Sequence, residues 1–317
     1  MGNRGSVAIV GLGLVGTSVG LALQRDKGNY VVVGHDVDGE AMARAKKLGA
    51  VDKTGWDLVR VCKDADLIML AIPFKEIKFV LEAIAPDLKP GSLVVDFSTV
   101  KKPVREWAEE LLLPKGIGYI GVDTIRPVSA KPAPSAAAFE KGTMTICALP
   151  DTPDSHLTIL SDLAGRMGMK VLFMNEEEHD SLRAVTTHLP MLLGASFLNA
   201  TAGHEAWREI RRLAGDEFGS ITGLVGDPEE TLALILANKH HIRKWLEIYL
   251  AVLGKWNEAI EGGDTESLSA TLKELASARD EWMGASISGR WEERQIPEIR
   301  REGIISRLFG IHPRRGE

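Results

Sequence analysis

The sequence predicts an α/β fold, in which a mainly parallel β-sheet domain spans residues 1–175 and an all-helical domain spans residues 176–317. In the first part, short apolar runs alternate with segments of helical pattern, which is typical of βαβ units. After residue 174 there is helical periodicity and no convincing strand pattern. The runs are almost wholly apolar, as expected for strands that helices cover on both faces.

Seven apolar runs, rich in valine or isoleucine and bounded by turn-forming residues, are predicted strands. They are residues 6–10, 30–34, 66–71, 92–96, 118–122, 143–148 and 170–174. Helical patterns in the sheet domain cover residues 13–26, 39–48, 75–85 and 104–112. In the second domain they cover residues 182–203, 231–253 and 267–282.

The composition is that of an ordinary globular protein, with 44% hydrophobic and 26% charged residues. The formal net charge of -6 gives no reason to expect a nucleic-acid partner.

Glycines interrupt the apolar stretch 7–23, so a strand, a turn and a helix explain it better than a signal peptide. No run approaches the ~20 apolar residues of a membrane helix, so no membrane partner is expected. Cys62 and Cys147 lie in no metal-ligand or CxxC pattern, so we expect no metal site and a cytoplasmic location.

The first predicted strand runs directly into the pattern Gly11-x-Gly13-x-x-Gly16, which opens the first predicted helix. In this context Gly11 permits a tight turn, Gly13 lets the backbone approach a pyrophosphate, and Gly16 lets the helix pack close to the strand. The helix N-terminus offers free N–H groups to the phosphates. We therefore predict a Rossmann-type domain that binds a dinucleotide. The predicted phosphate-binding residues are Gly11, Leu12, Gly13, Leu14, Val15 and Gly16.

Asp36 follows the second predicted strand, twenty residues after Gly16. An acid at this position hydrogen-bonds the hydroxyls of the adenosine ribose. A carboxylate here, with Asp38 nearby, would repel a 2'-phosphate, so NAD is favoured over NADP. Arg44 lies further along the chain, and its positive charge would weaken that preference.

Two more loops follow predicted strands at the edge of the sheet where open α/β folds bind ligands. Ala71-Ile72-Pro73 is predicted to line the cofactor cleft. In the other loop, Thr99 is placed to hydrogen-bond near the nicotinamide, and Lys101 adds a positive charge for a substrate. An alternative is that a hydroxyl of this second loop caps the helix predicted over residues 104–112.

These motifs resemble those of the prephenate/arogenate dehydrogenase family nearly from end to end. The similar stretches are the glycine turn, Asp36, residues 66–73, 84–86, 88–91, 96–101, 179–180, 187–190, 218, 222, 227–229 and 237–238. Residues 96–101 resemble the family's D-x-x-S-V-K segment, with Thr99 in place of the serine. The resemblance implies an NAD-dependent oxidative decarboxylation in tyrosine biosynthesis. In that reaction a ring carbinol gives hydride to the nicotinamide, carbon dioxide departs, and the ring becomes aromatic.

The chain departs from the resembled family where the substrate is bound. The family's catalytic histidine lies in a G-x-H-P-M-x-G segment, but residues 121–129 contain no histidine. Arg126 takes its place when the prolines are aligned, and Asp123 when positions are counted from the preceding glycine. Met191 replaces the second histidine of H-L-P-H, and Gly223 replaces the arginine of T-R-I.

Three residues remain as catalytic candidates. His188 is predicted to serve as general base or hydroxyl anchor, because imidazole suits proton transfer near neutral pH. Thr99 is predicted to act beside it. Arg126 is predicted to bind a substrate carboxylate, for which a guanidinium is well shaped, together with Lys101 and His188. The alternatives are that His188 bonds a backbone carbonyl and that Arg126 is an exposed loop residue.

Three functional hypotheses follow: a prephenate/arogenate-type dehydrogenase, a related dehydrogenase acting on another carboxylated alcohol, and a non-catalytic NAD-binding member of the family. The second draws on residues 96–99, which also resemble the D-x-S-T motif of β-hydroxyacid dehydrogenases.

The helical domain contains five of the seven tryptophans, namely Trp207, Trp245, Trp256, Trp282 and Trp291. We therefore expect a homodimer formed through this domain, because aromatic residues are enriched at interfaces. The alternative is that they fill the helical core. Residues 290–317, rich in arginine, are expected to form a basic surface tail.

Overall fold

The computed structural model describes residues 5–26, 30–128 and 133–291. One eight-stranded sheet has the order β3-β2-β1-β4-β5-β6-β7-β8. Its strands are β1 (Gly5–Val10), β2 (Tyr30–His35), β3 (Lys53–Thr54), β4 (Leu67–Leu70), β5 (Leu93–Asp96), β6 (Gly118–Ile125), β7 (Thr143–Ala148) and β8 (Lys170–Phe173). Strands β1 to β6 are parallel, β7 is antiparallel to β6, and β8 is parallel to β7. The carboxyl ends of β1 to β6 therefore share one edge.

Among the described residues, six helices cover the sheet: α1 (Leu14–Leu23), α2 (Gly39–Leu48), α3 (Leu58–Cys62), α4 (Phe74–Ile84), α5 (Lys102–Leu111) and α6 (Asp154–Arg166). Side chains of α1, α2 and α6 form one buried cluster with the sheet, and those of α3, α4 and α5 form another on the opposite face. Burial on both faces explains why the central strands β1, β4 and β5 are almost wholly apolar.

After β8 every regular element of the described chain is helical. The helices are α7 (Glu176–Arg183), α8 (Leu189–Ala202), α9 (Trp207–Leu213), α10 (Asp216–Thr222), α11 (Pro228–Ala237), α12 (Lys239–Gly262) and α13 (Thr265–Ser288). A π-helical turn, Ala184–His188, joins α7 to α8. The predicted class, a Rossmann-type sheet followed by helices, is confirmed. None of the described helices combines the length and apolarity needed to cross a bilayer.

The structure differs from the predicted elements at several positions. The patterns missed β3, whose two residues are exposed, the helices α3, α6, α9 and α10, and most of α7. The single helix predicted over 231–253 is two helices, α11 and α12, which meet at Asn238. Asn238 leaves helical geometry (φ -109°, ψ 22°) because its buried side chain bonds a neighbouring helix. The predicted tail lies outside the described residues beyond residue 291.

Candidate active site

The glycine turn joins β1 to α1 at the carboxyl edge of the sheet. Gly11 has a φ of +90°, which residues with a side chain rarely adopt. A Cβ atom at Gly16 would overlap the carbonyl oxygen of Gly11, so α1 approaches the turn only because Gly16 has no side chain. At Gly13, in contrast, a Cβ atom would meet no atom within 4 Å. Protein atoms therefore fill the space beside Gly11 and Gly16, while the space beside Gly13 is open, as a phosphate-binding turn requires.

The carboxylate of Asp36 is tied to this turn. Its Oδ2 accepts a hydrogen bond from the N–H of Leu12 at 2.6 Å, and its Oδ1 accepts one from the N–H of Asp38 at 2.9 Å. Arg44 forms ion pairs with Asp38 at 3.3 Å and Glu40 at 3.4 Å, so its charge is already partnered. A 2'-phosphate would meet a cluster of carboxylates here. The turn and Asp36 therefore fit a dinucleotide with an unphosphorylated ribose.

The loop Ala71-Ile72-Pro73 leads directly from β4 into α4. Pro73 is the N-cap of α4 and offers no side-chain cap. Instead, Glu230 of α11 accepts hydrogen bonds from the N–H of Phe74 at 2.8 Å and the N–H of Lys75 at 3.0 Å. A carboxylate is favourable at this point because the first N–H groups of a helix lack partners and carry the positive end of the helix dipole. The helical domain thus holds this loop in place.

Replacing Glu230 with glutamine is expected to lower the free energy of unfolding by about 1–2 kcal/mol, because the charge and one acceptor oxygen are lost at the helix N-terminus. Glu229→Gln is the matched control. Glu229 pairs with Lys75 at 2.7 Å, but its side chain is 82% exposed, and such pairs contribute under about 1 kcal/mol. Urea unfolding measures both variants, and equal losses would contradict the capping role.

The loop after β5 contains a buried ion pair. Lys101 Nζ lies 2.9 Å from Asp96 Oδ1, and the two side chains are 1% and 0% exposed. Ser98 Oγ donates to the same oxygen, and the hydroxyl of Tyr119 donates to Asp96 Oδ2 at 2.7 Å. Burial and the charge of Asp96 raise the pKa of Tyr119. The expectation that Lys101 binds a substrate carboxylate is wrong, because its ammonium is enclosed in the sheet core and bonded to Asp96.

The N-terminus of α5 is capped from the helical domain. Asp180 of α7 accepts hydrogen bonds from the N–H of Lys101 at 2.7 Å and the N–H of Lys102 at 3.0 Å. The hydroxyl of Ser98 instead lies within hydrogen-bond distance of the Asp96 carboxylate and of the Val100 carbonyl, so its single hydrogen is used away from the N–H groups of α5. Capping by a loop hydroxyl was therefore the wrong alternative. Asp180 and Glu230 do the same work on neighbouring helices, each fixing a loop at the carboxyl edge.

The structure brings two predicted catalytic residues together. His188, fully buried at the end of the π-helical turn, has Nε2 3.2 Å from Thr99 Oγ1. Its Nδ1 lies 3.1 Å from the amide nitrogen of Asn238. Burial, and then the charge of Arg183, lower the pKa of His188 to about 4. His188 is thus neutral at pH 7, and both ring nitrogens face side chains rather than a backbone carbonyl.

Asp123, one of the two residues that could replace the missing histidine, belongs to a buried charge cluster on β6. Its carboxylate lies 2.9 Å from Arg183 Nε and 3.3 Å from His179 Nε2. Burial raises the pKa of Asp123, but Arg183 and His179 lower it by more. His179 also contacts Asp180, at 3.0 Å, and although burial lowers its pKa, its bonds to Asp123 and Asp180 give a net rise. Asp123 is consequently engaged in ion pairs rather than free as a base.

Arg126 follows β6 directly at the same edge of the sheet. It is half-buried, and no hydrogen bond or ion pair within the described part of the chain engages its guanidinium. The loop beyond it is attached to α13, because the N–H of Val128 donates to Ser286 Oγ at 3.1 Å. Arg126 is therefore available to an anionic ligand.

Two family models match the chain in succession. Residues 19–172 match the nucleotide-binding domain of prephenate dehydrogenase, and residues 175–274 match the dimerization domain of prephenate dehydrogenase. The chain belongs to the prephenate dehydrogenase family. The first match begins after the glycine turn, so the turn is an independent sign of the same fold.

Named members of the prephenate dehydrogenase family are distant relatives of the chain. It is 24% identical to prephenate dehydrogenase of Bacillus subtilis over 87% of this chain and 76% of that protein. It is 25% identical to cyclohexadienyl dehydrogenase of Zymomonas mobilis over 86% of this chain and 94% of that protein. A structure of Aquifex aeolicus prephenate dehydrogenase with hydroxyphenyl propionate and NAD+ superposes with a TM-score of 0.76, at 22% identity, over 88% of this chain and 98% of that one. This last likeness establishes the fold.

Within this prephenate dehydrogenase fold, Asn238, Glu230 and Arg183 have roles that the sequence did not predict. An asparagine inside a long helical pattern is a signal that was available, because asparagine favours helix ends. Glu230 lies in the first turn of α11, where acidic residues are common, so the sequence carries no sign that it bonds to α4 instead. Arg183 carried no motif at all.

Proposed function

We propose that this protein is an NAD-dependent dehydrogenase of the prephenate/arogenate type, acting on a carboxylated cyclic alcohol. The observation that carries the proposal is the contact between Thr99 and His188. The buried ring of His188 holds the hydroxyl of Thr99 in place. Thr99 lies in the loop after β5, at the same edge of the sheet as the glycine turn. An alcohol substrate needs such a hydrogen-bonding group beside the cofactor.

In this proposal the domain formed by residues 1–175 holds NAD. The backbone of Gly11 to Gly16 binds the pyrophosphate, Asp36 binds the adenosine ribose, and Ala71-Ile72-Pro73 and Thr99 line the nicotinamide side. Bound NAD supplies the hydride acceptor. The carboxylate capping by Asp180 and Glu230 keeps the two loops in position.

The reaction balances without net release of the hydroxyl proton. The carbinol carbon loses hydride, and the ring carboxylate leaves as carbon dioxide while its bonding electrons remain in the ring. The product is a phenol, which stays protonated at pH 7 because its pKa is about 10. A strong base at the hydroxyl is therefore not a stoichiometric requirement, which accommodates the absence of the family's histidine. Thr99 is left to orient the hydroxyl.

Arg126 is proposed to bind a substrate carboxylate. Arg126→Gln is expected to lower kcat/KM about 100-fold, mainly by raising KM, because a charge-assisted bond is lost. Arg126→Lys is expected to recover only part of the lost kcat/KM, since an ammonium cannot offer the two parallel N–H donors of a planar guanidinium. Arg208→Gln, an exposed arginine on α9, is the control and should leave KM unchanged. Steady-state kinetics measures all three, and an unchanged KM in Arg126→Gln would remove this residue from the site.

The helical domain, residues 176–317, is proposed to form a homodimer with a second copy. The match to a dimerization domain supports this. Large apolar side chains exposed on α12 and α13 support it too, because a monomer rarely leaves such a surface uncovered. They include Leu250, Ile260, Leu272, Leu275 and Trp282. The two unpaired cysteines suit a reducing cytoplasm, where we propose the protein resides.

The decisive experiment supplies purified protein with NAD and either prephenate or arogenate and follows NADH by absorbance. Formation of NADH with carbon dioxide release is the expected result. Turnover with neither compound, but with another carboxylated alcohol, would assign the protein to the related-dehydrogenase alternative. NAD binding by calorimetry without turnover on any such alcohol would leave a non-catalytic NAD-binding protein.

A further inference from the structure

Asn238 lies at the junction of α11 and α12 and is 3% exposed. Its amide nitrogen donates a hydrogen bond to the main-chain carbonyl of Asp180 at 2.7 Å. Turning the amide over would set two oxygens at that distance, and neither of them can donate. The carbonyl of Asp180 therefore fixes which end of the Asn238 amide is nitrogen.

The same amide nitrogen lies 3.1 Å from Nδ1 of His188. An amide nitrogen has two hydrogens and cannot accept, so Nδ1 must be the acceptor and carry no hydrogen. In a neutral ring the hydrogen then belongs to Nε2, which faces Thr99 Oγ1 at 3.2 Å. In a protonated ring, the Nδ1–H of His188 and an N–H of the Asn238 amide would point at each other, and neither would have an acceptor. Water does not relieve that conflict, since His188 is 0% exposed.

We propose that Asn238 is a positioning residue that locks His188 in the Nε2–H tautomer and makes it a hydrogen-bond donor to Thr99. His188 is then not the general base of the reaction. Its donated hydrogen occupies one lone pair of Thr99 Oγ1, so the hydroxyl hydrogen of Thr99 points away from His188. Thr99 keeps that hydrogen and its other lone pair for the reacting oxygen of the substrate. This last step rests on the proposed function, whereas the tautomer does not.

The charged groups around His188 act on its protonation in opposite directions. Arg183 and His179 contribute positive charge from α7, and Asp180 and Asp123 contribute negative charge from α7 and β6. Arg183 and His179 disfavour the imidazolium, and the two carboxylates favour it. Since these charges oppose one another, burial and the amide hydrogen of Asn238 at Nδ1 both keep the ring neutral, and the amide decides which nitrogen carries the hydrogen.

Nitrogen NMR of the full-length protein, labelled with ¹⁵N-histidine, tests the lock without any substrate. The His188 signal is assigned by its loss in His188→Gln. We expect an Nε2–H ring that does not titrate between about pH 5.5 and 8. In Asn238→Asp, a carboxylate accepts from Nδ1–H, so His188 is expected to gain that hydrogen and to titrate in this range. Wild-type His188 with its hydrogen on Nδ1, or titrating near pH 6.5, would overturn the proposal even if all variants of Asn238 misfold.

Kinetics tests the catalytic consequence separately, with the substrate that the turnover assay identifies. Thr99→Val is expected to lower kcat about 100-fold, as loss of a hydrogen bond to a reacting oxygen does. Asn238→Asp should introduce a histidine-like break in the pH profile of kcat, while the Kd for NAD stays the same. Asn199→Asp, an exposed change on α8, should have a flat profile like the wild type. A wild-type break that vanishes in His188→Gln would show that His188 is a base. Absence of any turnover would refute the proposed function and leave the NMR result standing.

Discussion

Replacing Lys101 with methionine is expected to lower the free energy of unfolding by about 3–5 kcal/mol. The side chain of Asp96 is 0% exposed, and without the ammonium its charge stays buried with only Ser98 and Tyr119 to stabilise it. Methionine matches the length of lysine, so the loss comes from the unpaired carboxylate rather than from a cavity. Urea unfolding at pH 7 measures the difference.

The adjacent residue is a natural control for this experiment. Lys102 pairs with Glu177 at 3.4 Å, and its side chain is 52% exposed, so Lys102→Met should cost under about 1 kcal/mol. The double variant Asp96→Asn with Lys101→Met removes both charges and should recover part of the stability. If Lys101→Met and Lys102→Met unfold at the same urea concentration, the buried Asp96–Lys101 pair contributes no more to stability than the exposed Lys102–Glu177 pair.

The parts of the site that the sequence predicted are local in the chain. The roles of Gly11, Gly13 and Gly16 follow from the limits on backbone geometry between one strand and the next helix. Asp36 follows from the length of a βαβ unit, which returns the chain to the same edge about twenty residues later. Each of these constraints acts within a single supersecondary unit, so one sequence was enough to reveal it.

The remaining contacts join distant residues, and no local pattern encodes such pairs. Thr99 meets His188 across 89 residues, and Asn238 meets Asp180 across 58. The sequence named Thr99 and His188 as candidates without indicating that they touch. The contact changes the role that His188 can have. Asn238, bound to Nδ1, decides whether the opposite nitrogen, Nε2, donates a hydrogen bond to Thr99 or accepts one.

Lys101 shows a different limit. A lysine in a loop at the ligand edge is usually exposed, so a substrate role was the natural reading of the sequence. Lys101 is buried because it pairs with Asp96, five residues earlier, whose carboxylate points into the core at the end of β5. Buried lysines are rare and are normally paired, and the sequence alone does not say which of two neighbouring lysines is the buried one.

Gly13→Ala is expected to raise the Kd for NAD at least about 100-fold while leaving the protein as stable as the wild type. Gly13 has φ -73° and ψ -155°, an extended conformation open to alanine, and the added Cβ would meet no protein atom within 4 Å. That open space is where the backbone must approach the pyrophosphate. The methyl group would therefore displace the cofactor without disturbing the fold. Calorimetry with NAD and urea unfolding measure the two quantities independently.

Two further glycines separate a cofactor effect from a folding effect. Gly16→Ala should lose both stability and NAD binding, because its Cβ would overlap the carbonyl oxygen of Gly11. Gly165→Ala, at an exposed and uncrowded position of α6, should leave NAD binding unchanged and stabilise the helix by up to about 1 kcal/mol. Gly13→Ala is distinct from both if the turn binds NAD, because only this variant loses the cofactor and keeps its stability. Undiminished NAD affinity in Gly13→Ala would mean that the pyrophosphate binds elsewhere, whatever fold surrounds the turn.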